Sequence, residues 1–342
     1  MTRVLFFANV PTSNPRSIGG ATVLSKRIFE FFLKNSNIAI NHFQIRSFWR
    51  PKFQLIDYVL WIIKFPFIIQ KYDAISIHAT KDMHFLFMPV LITWIKLFKK
   101  KYYYHFFAGN FHKQLESKSN FHQKLIIHTV LKANVLFFET KEMVNYFQNL
   151  GYKNCVWIPN SRKPQTIKKR TFTKKFVFIS RVVTCKGVNE IIEIIQSLPK
   201  DYLIDFYGPL DSKNYSLKYF QEKNISYKGI IKSDNVVSVL NNYDVLLLPT
   251  YCYGEGYPGV IIEALSLGIP VITTRFNSIP EIIQHNYNGC LIPVKNSKKL
   301  IKAITSFDDE SYLEYSKNAL ESFKHFNSDY VFNKFIDSYL ND

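Results

Sequence analysis

The chain has 342 residues, 47% of them hydrophobic and 16% aromatic, which is enough for two domains with separate cores and excludes a disordered chain. Its formal net charge of +18 is lopsided: residues 1–170 hold 26 Lys and Arg against 7 Asp and Glu, while residues 171–342 hold 18 against 19. A basic surface confined to one half implies an anionic partner for that half, and both nucleic acid and anionic lipid fit.

Cysteines stand at 155, 185, 252 and 290, with no C-x-x-C pair. The expectation is four small hydrophobes in a reducing compartment, not a zinc site or a disulfide framework. The first residues, MTRVLFFANVPT, hold too short an apolar run for a signal peptide and read as a strand. The most apolar stretch, HFLFMPVLITWIKLF at 84–98, is broken by Pro89 and Lys96. It falls short of the roughly 20 residues a spanning helix needs, so a cytosolic protein is expected.

Short runs rich in β-formers appear at 3–9, 72–78, 102–108, 134–140 and 154–159. Helical patterns at 20–34, 53–70 and 120–133 lie between them. Such alternation predicts βαβ units and a parallel sheet. The stretches 45–71 and 94–107 interleave basic residues with aromatic and aliphatic ones. That mixture suits a helix lying in a membrane interface, and equally a core-facing helix with solvated lysines on its far side.

Residues 159–175, PNSRKPQTIKKRTFTKK, are polar, basic and punctuated by proline, and read as a linker. Alternation restarts with strands at 176–181, 203–208, 225–229, 244–250, 270–274 and 288–293. The expected fold class is α/β, with two doubly wound parallel sheets. The tail, 309–342, is helical in pattern.

Ligands of open parallel sheets bind at the carboxyl ends of strands, and three stretches there carry candidate chemistry. In NVPTSNPRSIGGATVLSKRIFEFF (9–32), Gly19 and Gly20 precede a helix whose free N–H groups favour an anion. The stretch lacks G-x-G-x-x-G, which disfavours a nicotinamide dinucleotide. In FISRVVTCKGVNEII (178–192), Arg181 follows a strand and Lys186 stands just before a helix opened by Gly187. A planar fork and a mobile point charge beside a helix N-terminus suit a diphosphate, although two solvated surface cations are the plainer reading.

The third stretch is YGEGYPGVIIEALSLGIPVITT (253–274). Glu255 falls in the loop after a strand, Pro258 suits a first helical position, and Glu263 lies one turn past Gly259. A central diphosphate could meet the helix N-terminus while each carboxylate accepts hydrogen bonds from hydroxyls, as in a sugar nucleotide. Two unpaired surface glutamates remain the alternative.

With these motifs in hand, the sequence resembles the retaining glycosyltransferases of family 4, the group 1 transferases with the GT-B fold. The E-x(7)-E of EGYPGVIIE carries the likeness, and the Gly19-Gly20 loop, WIPNS, SRVVTCKG, GIPVITT and IPEII follow in the family's order. The resemblance implies two Rossmann-like domains facing each other across a cleft. It implies an acceptor-binding, membrane-facing domain at 1–162 and a sugar-nucleotide donor domain at 163–325. A helix at 326–342 would return to the first domain. Arg181 and Lys186 would bind the donor diphosphate, Glu263 the ribose hydroxyls, and Glu255 the transferred sugar. Gly256 and Tyr257 would meet sugar hydroxyls, with Gly259 and Val260 near the phosphates. Gly19 and Gly20 would close over the donor, and the main chain at Gly229 and Ile230 would hold the base.

The chain contains no D-x-D, so no metal and no cofactor are expected, and fixed cations with helix N-termini would stabilise the leaving group. Many relatives place a His-Gly pair after the fourth strand. Here the matching stretch is YYYHFFAGNFHK (102–113), and if Ala108-Gly109 takes that place the histidine is absent. His105 is then the remaining catalytic candidate, against a structural role in its aromatic strand. The implied reaction is retaining transfer of a hexose-type sugar from a UDP-, GDP- or ADP-sugar to a lipid-linked or surface-polysaccharide acceptor. It would take place at the inner membrane face, on an anionic lipid surface. Two alternatives stay open: a basic nucleic-acid-binding protein, for which no motif is present, and a GT-B sugar-nucleotide epimerase.

Overall fold

The computed structural model describes residues 2–17, 19–34, 38–47, 49, 53–80, 83–107, 109–168 and 170–340. The chain divides into two compact units, Met1–Pro159 with Val331–Asp342, and Asn160–Tyr330. The divisions fall at 159 and 330 where the sequence suggested 162 and 325.

The first unit runs β1 (Thr2–Ala8), α1 (Gly20–Leu33), β2 (Ile38–Gln44), α2 (Gln54–Ile69), β3 (Ala74–Ala79) and α3 (Phe87–Leu97). It continues with β4 (Lys101–Phe106), α4 (Phe111–Glu116), α5 (Asn120–His128), β5 (Val135–Phe138), α6 (Lys141–Asn149) and β6 (Cys155–Trp157). The six strands form one parallel sheet in the order β2-β1-β3-β4-β5-β6. β1 shows why the sequence builds such a sheet. Strand side chains alternate between faces, and in a parallel sheet both faces are covered, so the apolar run VLFFA is buried throughout. Leu5 and Phe7 join one core with Phe65 and Ile69 of α2 and Met88 and Leu91 of α3. Val4, Phe6 and Ala8 join the other with Leu24, Ile28 and Phe32 of α1. β2 was missed because only its first residues alternate cleanly; Asn41 and His42 interrupt the apolar pattern on this edge strand.

The second unit holds β7 (Lys175–Ile179), α7 (Val188–Ile195), β8 (Leu203–Tyr207), α8 (Leu217–Glu222), β9 (Ser226–Gly229) and α9 (Val236–Leu240). There follow β10 (Val245–Leu248), α10 (Gly259–Ser266), β11 (Val271–Thr274), β12 (Gly289–Ile292), α11 (Ser297–Thr305) and α12 (Asp309–Phe323). Its parallel sheet has the order β12-β11-β10-β7-β8-β9. Asp308 caps α12 by accepting the Ser311 N–H at 2.8 Å. The last helix, α13 (Ser328–Leu340), places Phe335, Ile336 and Tyr339 in the core of the first unit. There the Tyr339 hydroxyl lies 2.6 Å from Ser76 Oγ.

Candidate active site

The strand order fixes where the second unit can bind a ligand. From β7 the chain winds one way through β8 and β9, then returns to build β10, β11 and β12 on the other side. The switch point lies between β7 and β10, and the loops leaving their carboxyl ends open a crevice there. Those loops carry Arg181 with Lys186, and Glu255.

The two loops are bonded to each other. The Tyr251 N–H donates to Cys185 O at 2.7 Å, and the Thr250 hydroxyl oxygen lies 3.3 Å from the same oxygen. Gly187 has φ +78°, and a Cβ on it would lie 2.3 Å from Pro249 O. Only glycine allows both that turn and that approach. Cys185 and Cys252 form a disulfide, with Cα atoms 4.9 Å apart. This corrects the expectation of four unpaired cysteines: the pair is 67 residues apart in sequence and meets only because the loops adjoin. Cys155 and Cys290 are free and buried, as small hydrophobes are.

Lys186 ends the loop after β7 and is buried, and its Nζ reaches the Glu255 oxygens at 2.7 and 2.5 Å. Thr250 Oγ1 donates to Glu255 Oε2 at 3.0 Å. A cation and an anion this little exposed need each other, because either alone would face the full cost of desolvation.

Glu263, on the second turn of α10, is buried and accepts from Arg162 Nε at 2.6 Å. Arg162 also donates through Nη1 to Asn160 Oδ1 at 2.7 Å and Ser161 O at 2.9 Å. Asn160 Nδ2 in turn donates to Tyr257 O at 3.2 Å. Tyr257 is buried and its hydroxyl donates to Glu281. The segment read as a linker therefore starts with two residues, Asn160 and Arg162, that hold the glutamate and the loop before α10. Its Asn-Ser-Arg run carried no pattern pointing to this; only the position of WIPNS in the family order hinted at it.

Pro258 stands at the N-cap of α10, one place before the expected first helical position, so Gly259 and Val260 begin the helix. Their N–H groups are among those an α-helix leaves without an internal partner. Arg181 is exposed. Gly229 closes β9 with φ +92°, and its carbonyl accepts the Gly208 N–H at 2.9 Å, while Ile230 is 72% exposed. Gly256 is half-buried in the loop beside Glu255.

Beneath the loops, Glu190 of α7 is buried with an unpartnered Oε2, and burial raises its carboxyl above the usual 4.5. In the first unit, Gly19 caps α1 and Gly20 is its first residue, after the switch-point strand β1. His105 lies inside β4 and is 1% exposed. It packs on Phe107, Phe137 and Phe335, with Nδ1 3.2 Å from His78 Nδ1. Burial drives its pKa down to about 3. Ala108 lies outside the described residues; His112 is buried 3.4 Å from Glu142. Among the described residues, no helix is long and apolar enough to cross a membrane.

Two Rossmann-like parallel sheets make this an α/β protein of the GT-B class, with a charged, hydroxyl-accepting cluster at the switch point of its second sheet. Residues 159–322 match the family described as "Glycosyl transferases group 1". The chain is 27% identical over 191 residues to the putative colanic acid biosynthesis glycosyltransferase WcaL of Escherichia coli, covering 52% of this chain and 47% of that one. It is 24% identical to a Campylobacter jejuni enzyme, covering 68% of each chain. That enzyme is N,N'-diacetylbacillosaminyl-diphospho-undecaprenol alpha-1,3-N-acetylgalactosaminyltransferase. The alignments thus span about half the length of the first relative and two thirds of the second. A crystal structure of Anabaena Alr3699/HepE in complex with UDP superposes over all of both chains with a TM-score of 0.74 at 14% identity, a likeness of fold.

Proposed function

We propose that this chain transfers a hexose-type sugar from a nucleoside-diphosphate sugar to a lipid-linked or surface-polysaccharide acceptor at the inner face of the cell membrane. One observation carries the reading: Lys186 and Glu255, from different loops at the switch point, meet at 2.5 Å beside the N-terminal end of α10. The polysaccharide and undecaprenol relatives support the acceptor class.

Loss of a nucleoside diphosphate leaves negative charge on the departing phosphate. Lys186, released from Glu255 as the donor enters, and Arg181 from the same loop would hold that charge, with the Gly259 and Val260 N–H groups adding theirs. Glu255, freed in turn, would accept hydrogen bonds from the sugar hydroxyls. Glu263 would accept from the ribose while Arg162 keeps it oriented. These fixed groups replace a divalent ion, and the anomeric configuration is retained.

The test is a panel of UDP-, GDP- and ADP-sugars in thermal shift with a chelator present, followed by transfer to a prenyl-diphosphate-linked saccharide and determination of the anomer. A single nucleotide sugar should stabilise the protein and give a retained product without metal. Absolute dependence on a divalent ion, or interconversion of the donor sugar without acceptor, would overturn the reading.

A further inference from the structure

We infer that the outer face of α2 is the surface on which this protein docks to an anionic lipid bilayer. The inference deepens the lipid-acceptor reading above and rests on it for the choice of partner.

Helix α2 packs Tyr58, Phe65 and Ile69 into the core beneath it. Its other side carries Leu55, Ile56, Val59, Leu60, Ile63 and Phe67, all exposed, with Leu55 at 67% and Phe67 at 71%. Spacings of four place Leu55, Val59, Ile63 and Phe67 in one row, with Ile56 and Leu60 beside it. From Leu55 to Phe67 that row runs about 18 Å along the helix. A soluble helix with its greasy row inward has no reason to carry a second one outward.

The charges around the row choose the occupant. The single carboxylate of α2, Asp57, is turned inward and accepts the Ser47 N–H at 3.1 Å. The neighbouring α3 carries no acid at all. Lys64 is exposed along the row, and Lys71 is exposed just past its end. Lys100 Nζ donates to Gln70 O at 3.4 Å, which brings a further lysine to the same end of the helix. An apolar strip bordered by lysines, where the nearby exposed acid Asp73 is already held by Arg3, matches a helix lying in the headgroup region: side chains dip into the acyl boundary and ammonium groups stay at the phosphates. A protein partner would favour a row free of lysine.

The experiment is flotation of the full chain with vesicles of phosphatidylcholine alone and of phosphatidylcholine mixed with phosphatidylglycerol, without any nucleotide sugar. The parent should bind the mixed vesicles about tenfold more tightly than the neutral ones, and salt should weaken it. The double variant Ile63→Glu with Phe67→Glu should lose about tenfold in binding to the mixed vesicles. Both positions are exposed, so its melting temperature and its response to nucleotide sugar should match the parent. Leu313→Glu, at an exposed apolar position on α12, should bind as the parent does. Equal binding by the double variant, or no preference for anionic vesicles, overturns the inference. So does a parent dimer that the double variant splits while its vesicle binding is unchanged. Vesicle binding that maps to α2 in a protein without transferase activity would remove the proposed reaction and leave this face standing.

Discussion

Arg162 Nε and Glu263 Oε1 lie 2.6 Å apart although 101 residues separate them in the chain. Their side chains are 13% and 11% exposed, so removing one partner strands a charge that water barely reaches. Arg162→Ala should lower unfolding free energy by roughly 2–4 kcal/mol in urea melts, with a raised KM for the nucleotide sugar. Unchanged stability would mean that the ion pair holds nothing in place.

Gly259→Ala tests the same contact from the other side. A Cβ there would lie 2.0 Å from Arg162 Nη2, so the guanidinium must shift from its place against Glu263. The donor KM should rise as in Arg162→Ala, and combining the two should add little, because both break one contact. Additive losses would show that they act separately.

Lys186→Ala and Glu255→Gln probe the proposed chemistry. Lys186→Ala should lower kcat by about 10²–10³, the usual loss for a group that meets developing charge. Glu255→Gln removes the partner that holds Lys186 in place and should also slow turnover. Turnover at the parent's rate by both variants would refute the site.

Glu190 supplies a pH prediction. Its folded-state pKa is raised, so the folded protein holds this proton more tightly than the unfolded chain does. The penalty is absent well below the ordinary value of 4.5 and grows as pH rises through and above it. Glu190→Gln should therefore raise the melting temperature at pH 7, and the gain should vanish near pH 4. A gain of equal size at both pH values would contradict the titration.

His84 and His105 act in the opposite sense. Both are buried, and burial lowers each pKa from 6.5 to about 3. Each stays neutral in the folded protein while the unfolded chain takes up a proton, so stability present above 6.5 is lost as pH falls toward 3. Well below 6.5 each should cost up to about 1.4 kcal/mol per pH unit, read as a falling urea midpoint. Replacing His105 with Asn should flatten that slope; an unchanged slope would exclude it as a source.

The strands of the second unit were legible because each parallel strand is a short apolar run with a turn on either side, as in VLLL of β10. β2 was less so, since an edge strand buries less and its apolar alternation stops at Asn41. The positions of Glu255 and Glu263 around the α10 N-terminus followed from proline and glycine placement. What each carboxylate touches did not. Arg162 sat in a stretch that read as a linker, and its role depends on Glu263 arriving beside it.

Read alone, the amino-acid order settled what is local and periodic: alternating strands and helices, loops at strand ends, and a basic first half. Tertiary structure alone decided the pairings: Lys186 with Glu255, Arg162 with Glu263, Cys185 with Cys252, and which face of α2 stays open. The reason is physical. Periodicity reports the burial of one element within a few turns. Contacts between loops depend on strand order in the sheet, which sets β7 beside β10 while two other strands intervene in the chain.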